Sequence, residues 1–153
     1  GTCPAGRLTQ QARGLLMEGS AGLGRLSLFL GTWEVKRRII DRFNRSLIIF
    51  EGQAFVTPVQ FEEHGDTRSD HATLRSSRTY RLDDVDNDLV VRFPNLSEFI
   101  RIGDGASQRV THHCGADLYR GRLFFRSPDA WAEMWHVRGP RKNYLSLAHY
   151  RRV

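Results

Sequence analysis

From Leu28 to its end the chain alternates: apolar residues fall on every second position in short runs, and turn-forming clusters separate the runs. Such a pattern suits strands with one face buried and does not suit helices. In "LFLGTWEVKRRI", Trp33, Val35, Arg37 and Ile39 share one face, with Glu34, Lys36 and Arg38 on the other. The next run, "SLIIFEGQAFVTP", ends at Pro58 and carries Gly52 as an expected bulge or bend. Further candidates are "VQFEE", "ATLRSSRTYRL", "DLVVRF", "EFIRIG", "QRVTHHC", "ADLYRGRLFFRS", "AWAEMWHVRG" and "NYLSLAHYRR". Turns are expected at Glu63-His64-Gly65-Asp66, at Asp83 to Asp88, at Gly103-Asp104-Gly105, at Ser127-Pro128-Asp129 and at Gly139-Pro140. Roughly eight to ten short antiparallel strands at this spacing predict an all-β sandwich or up-and-down barrel. Closing the barrel removes the exposed sheet edge.

A chain of 153 residues suits one domain, and 40% hydrophobic with 26% charged residues argues against disorder. No apolar run approaches the ~20 residues that a membrane-spanning helix needs, so a helical membrane protein is excluded. The net charge is +6, and of 23 basic residues only Lys36 and Lys142 are Lys, which leaves 21 Arg. Guanidinium forks suit carboxylate and phosphate partners, so the balance permits acidic protein, anionic lipid or nucleic acid. Two cysteines, Cys3 and Cys114, are too few for a secreted disulfide scaffold and read as reduced thiols.

Residues 1–27 differ from the rest. They hold Arg7, Arg13 and Arg25 against one acid, Glu18, and are rich in Gly, Ala, Ser and Leu. A short helix from Thr9 to Met17, with Thr9 as N-cap, is expected there. The Arg-rich, acid-poor composition has the sense of a mitochondrial presequence or its remnant, and a chain beginning without Met allows a processed start. The expected organisation is a basic extension, residues 1–27, followed by one barrel domain, residues 28–153.

Gly31-Thr32-Trp33 at the first strand and "HYRRV" at the last resemble the lipocalin-like (calycin) barrels. There a tryptophan plugs one end of the barrel and a basic residue from the last strand lies across its indole. The resemblance implies that Gly31 lets the backbone bend beside Trp33, with Arg151 or Arg152 stacked on the ring at a gain of roughly 0.5–2 kcal/mol.

"FLGTWEVKRRIID", "FEGQAFVTP", "HHCGADLYRGRLFF" and "WHVRGPRKNYLSLAHYRR" together resemble the motif series of an uncharacterised family of small lipocalin-like domains, found in bacteria and some protists. The resemblance covers about Leu28 to Arg152, and Trp135-x-Val137-x-Gly139-Pro140-Arg141-Lys142-x-Tyr144 is its most specific part. It brings no reaction with it. One departure is visible at "NLSEFIRI", Asn95 to Ile102, where Ile100 stands at a position expected to hold histidine.

His112, His113, Cys114 and Asp117 are the densest group of metal-ligand types, but neighbouring strand residues face opposite ways, so no metal site is expected. Haem ligation by one histidine lacks a distinguishing context. His113 with Asp117 could form a base and its orienter, with Ser146 or Tyr144 as nucleophile or acid, but no nucleophile elbow, paired carboxylate or phosphate loop accompanies them. The basic and aromatic alternation of "LYRGRLFFR" suits a nucleic-acid platform and equally any half-buried strand. Arg78, Tyr80, His113, Asp117, Tyr119, Arg141 and Tyr144 are the residues expected to line a barrel mouth and orient a small ligand.

Two roles follow. The first is a non-catalytic accessory subunit, without cofactor, whose extension and Arg-rich surface dock into a larger protein assembly, in the mitochondrion or otherwise the cytoplasm. The second is a carrier of a small hydrophobic or anionic molecule, such as a lipid or amphiphile, held inside the barrel. Nucleic acid is the less favoured partner.

Overall fold

The computed structural model describes residues 24–153. The expected helix from Thr9 to Met17 lies outside the described residues, as do Arg7 and Arg13. A five-residue helix, α1 (Arg25–Phe29), leads into ten strands: β1 (Gly31–Asp41), β2 (Ser46–Val56), β3 (Gln60–Arg68), β4 (Thr73–Val85), β5 (Asp88–Arg92), β6 (Glu98–Ile102), β7 (Ser107–Cys114), β8 (Asp117–Ser127), β9 (Ala130–Gly139) and β10 (Lys142–Arg152).

Every strand pairs antiparallel with its sequence neighbour except β6 with β7, and β1 also pairs with β10, from Trp33 opposite Arg152 to Asp41 opposite Tyr144. The order β6-β5-β4-β3-β2-β1-β10-β9-β8-β7 curls the sheet into a nearly closed all-β barrel. Its seam lies between β6 and β7, where side chains meet instead of backbones. The Phe99 and His112 rings sit 5.2 Å apart across it, and the Gly103 amide donates to Gln108 Oε1 at 3.2 Å. The two shortest strands, β5 and β6, are five residues each, so the wall beside the seam is the lowest part of the barrel.

Two expectations are corrected. The first run was expected to be extended from Leu28, but Leu28 and Phe29 belong to α1, and β1 opens at Gly31. The break is local: Gly31 has φ +114°, and a Cβ there would stand 2.9 Å from Arg152 Nη1, so glycine alone suits this corner. The Glu63-His64-Gly65-Asp66 segment was expected to turn, yet β3 runs straight through it. Its polar residues alternate with Phe61 in strand phase, and Glu63 faces inward among charges of the opposite sign. Gly52 lies opposite Gly65 in continuous register, so the strands come close there without an extra residue.

Aromatic side chains close the base of the barrel. Trp33 is 1% exposed and donates its Nε1 to the Phe29 carbonyl at 2.8 Å. Phe29 meets Phe125 and Trp131 edge-on, at 5.4 and 5.1 Å between centroids. Such aromatic pairs each add ≈ 0.5–1.5 kcal/mol beyond area burial. Arg152 closes this end from outside, its guanidinium carbon 4.3 Å from the Trp33 ring centroid and its Nη1 donating to the Leu30 carbonyl at 2.6 Å. Arg151, its neighbour, is exposed on the other face of β10. Arg25 fastens α1 to the β6–β7 loop by donating to the Gly103 and Gly105 carbonyls at 2.7 and 2.6 Å. Helix α1 thus straddles the boundary drawn between residues 27 and 28.

Candidate functional site

Above this base the interior is hollow. A chamber of about 260 Å³ is lined mainly by apolar and aromatic side chains, among them Phe61, Leu82, Val91, Ile100, Leu123 and Val137. A cavity so lined, with a few convergent polar groups, is the usual form of a small-molecule site.

The polar groups come from the inward positions of five strands. Arg37 (β1) donates to Glu63 (β3) through both terminal nitrogens, Nη2 to Oε1 at 2.8 Å and Nη1 to Oε2 at 3.1 Å. Arg37 Nη2 also donates to Tyr150 Oη (β10) at 2.8 Å, and Arg78 Nη2 (β4) donates to the same oxygen at 3.0 Å. Tyr150 directs its own proton to Glu63 Oε1 at 3.1 Å, with Glu133 Oε1 (β9) at 3.4 Å. Arg78 Nε lies 2.6 Å from Glu63 Oε2, a close ion pair whose geometry is too bent for a hydrogen bond. Two cations and two carboxylates thus form one belt across the barrel wall.

Burial by itself would raise the Glu63 carboxyl, but the Arg78 and Arg37 guanidiniums outweigh it and hold it at about 2. Burial and then the field of Glu133 and Glu63 raise the Tyr150 phenol well above its ordinary value, so it stays a neutral bridge. For Arg78, burial works against the charge, but Glu63 outweighs it and the guanidinium is held firmly protonated. Trp131 stacks on Tyr150 with centroids 3.7 Å apart and planes at 6°, which fixes the phenol from the base side.

A stack of aromatic rings lines the chamber next to the belt. Tyr80 stacks on Phe99 at 5.5 Å and Phe99 on Trp135 at 5.3 Å, both with planes at 18°. Trp135 lies against Gly121, where a Cβ would come within 2.7 Å of its ring. At the mouth, Lys142 Nζ donates to Tyr119 Oη at 3.0 Å and pairs with Asp117 Oδ2 at 3.0 Å, contacts that raise its ammonium. Tyr144 beside them is pushed up to about 12, first by burial and then by Tyr119.

Of the expected lining residues, Arg78, Tyr80, Tyr119 and Tyr144 meet in this chamber, while Asp117 stands at the rim and pairs with Lys142. His113 and Arg141 are corrected, since both are exposed and neither lines the chamber. Strand alternation gives the inward position to His112, which meets Phe93 and Phe99, and burial lowers its imidazole. Arg141 belongs to the turn between β9 and β10. Asp117 is therefore not an orienter of His113. Ser146 is buried on the chamber wall, and Ile100, the departure from the expected histidine, faces the chamber too. Cys114 is disulfide-bonded and not the reduced thiol expected; its partner lies outside the described residues. No group of three or more His, Cys, Asp or Glu among the described residues is placed to hold a metal ion.

Arg37, Glu63 and Glu133 were missed as site residues, although a signal was present. Each is a charge in the inward phase of a strand: Arg37 between Val35 and Ile39, Glu63 two after Phe61, Glu133 between Trp131 and Trp135. A buried phase that carries both signs announces internal pairing.

Fold and site define an up-and-down antiparallel barrel with a charged belt and an internal chamber. The chain belongs to a family of unknown function, DUF6314, whose model matches residues 29–152. No curated protein matches it. Among solved structures, an S-type phycobiliprotein lyase from Guillardia theta is similar with a TM-score of 0.60 at 12% identity, over 84% of this chain and 90% of that one. A protein of unknown function from the DUF3598 family of Nostoc punctiforme reaches 0.58 at 12% identity over 84% of this chain, which spans 49% of that longer protein. At such identities the likeness is one of fold.

Proposed function

We propose that this protein is a lipocalin-like binder that holds a small, largely apolar molecule inside its barrel. The observation that carries the reading is the chamber of about 260 Å³ together with Arg78, which keeps 34% of its side-chain surface uncovered although it lies deep within the barrel. Arg78 lines this chamber and also a smaller cleft beside Phe50 and Ser76. The lipocalin-like assignment draws on Arg152 lying over Trp33 at the closed end.

The accessory-subunit reading, with its mitochondrial placement, draws on the basic extension. Within the described residues, the end of that extension serves its own barrel: Arg25 is 3% exposed, and Leu26 and Phe29 join the core. The binder reading is therefore preferred.

The test is a thermal-shift and calorimetric screen of small aromatic and polyunsaturated molecules, run beside the variants Val91→Phe and Val91→Leu. Binding that is lost on filling the chamber in a variant with wild-type circular dichroism supports the reading. Absence of binding across the screen, or binding indifferent to both variants, contradicts it.

A further inference from the structure

The belt is charge-balanced, and this constrains the polar end of any ligand. Resting on the binder reading above, we propose that the chamber selects a planar, neutral carbonyl compound, such as an aryl ketone or amide, over the corresponding carboxylate. Arg37, Arg78, Glu63 and Glu133 carry two formal charges of each sign within 4 Å of one another. A carboxylate entering this group leaves one buried negative charge unmatched, and unmatched charge away from water is strongly unfavourable. A neutral carbonyl oxygen brings no charge and meets an available donor.

That donor is Arg78 Nη1. Arg78 engages Glu133 and Tyr150 through Nη2 and approaches Glu63 through Nε, and among the described residues Nη1 has no hydrogen-bond acceptor. Nη1 keeps accessible surface, and Arg78 lines the chamber as well as a smaller cleft beside it. The preference for a planar molecule comes from the adjoining wall, where Tyr80, which also packs against Arg78, stands nearly parallel to Phe99, and Phe99 to Trp135. A flat π-system can lie along these rings with its carbonyl turned toward β4. Glu133 sets the charge preference: its contacts with Arg78 and Arg37, at 3.4 and 3.7 Å, are the loosest of the belt.

The experiment is calorimetric titration of the full chain at neutral pH with three probes of matched shape: 2-acetylnaphthalene, 2-naphthoate and 2-ethylnaphthalene. The expected order is the ketone at least ~10-fold tighter than either of the others, the scale of one hydrogen bond to a charged group. In Glu133→Gln, which leaves the belt with one surplus positive charge, the order should reverse in favour of 2-naphthoate. The charge-neutral double variant Arg78→Met with Glu133→Gln should bind the ketone no better than the hydrocarbon, with its melting transition showing that it folds. Wild-type preference for the carboxylate, equal affinity for ketone and hydrocarbon, or an unchanged order in Glu133→Gln overturns this inference and leaves the binder reading standing. Failure of all three probes to bind overturns both.

Discussion

The base and the chamber are built from the same strands yet use opposite chemistry. At the base, Trp33, Phe29, Phe125 and Trp131 fill the space edge to face, and the two arginines there, Arg25 and Arg152, point their donors at backbone carbonyls. One strand-repeat above, the interior holds Arg37, Arg78, Glu63 and Glu133 around open volume. Packing alone explains the base. It does not explain the belt, because well-packed apolar residues in place of a buried ion network are often neutral or stabilising by about 1–4 kcal/mol. The contrast teaches that the barrel needs its base to close and keeps its belt for something else, which we assign to ligand selection.

The sharpest way to break this contrast is Glu63→Gln. It leaves Arg37 and Arg78 facing one remaining carboxylate, and an uncompensated buried charge costs about 3–5 kcal/mol in urea unfolding. A loss below ~1 kcal/mol would mean that the belt is well hydrated and not a buried network.

Acid comes next. The folded Glu63 carboxyl lies at about 2 against an ordinary 4.5, so it binds protons less readily in the folded state. Its contribution is full above pH 4.5 and is lost as the pH falls from there towards 2, about 3 kcal/mol in all. Unfolding free energy followed against pH should show this limb in the wild type and a shallower one in Glu63→Gln.

At the base, Arg152→Ala removes the cation over Trp33 and the donors to the Leu28, Leu30 and Pro128 carbonyls. About 2 kcal/mol should go, with Lys at the same position restoring part of it. The smallest effect belongs to Arg151→Ala, within about 0.5 kcal/mol, because that side chain is exposed. A reversal of these two costs would show that the wrong terminal arginine has been assigned to the indole.

The strands were legible because alternation survives in nearly every run, and the Gly31-x-Trp33 spacing placed the closed end. Helix α1 was hidden because Leu28 and Phe29 continue the apolar run of β1, and only the positive φ of Gly31 divides them. Segment 63–66 read as a turn because Gly65 and Asp66 are turn formers by composition. There the pairing of β3 with both β2 and β4 overrides local preference. Four of the seven proposed lining residues meet in the chamber because Tyr and Arg at inward phase are visible in the sequence. His113 was chosen over His112 because a two-residue histidine run does not reveal its own phase, and one position exchanges inside for outside. The belt charges show their inward phase in the sequence, but not their partners: Arg37 pairs with Glu63 26 residues on and with Tyr150 113 residues on, and no local pattern links residues so far apart.

The most direct test of the central claim is a crystal of this protein pressurised with xenon, since xenon enters dry apolar cavities and leaves filled cores untouched. The account predicts xenon density inside the barrel, against Leu123 and Val91 and short of the Arg37–Glu63 pair. An interior filled by side chains, with xenon only outside the barrel, would contradict it.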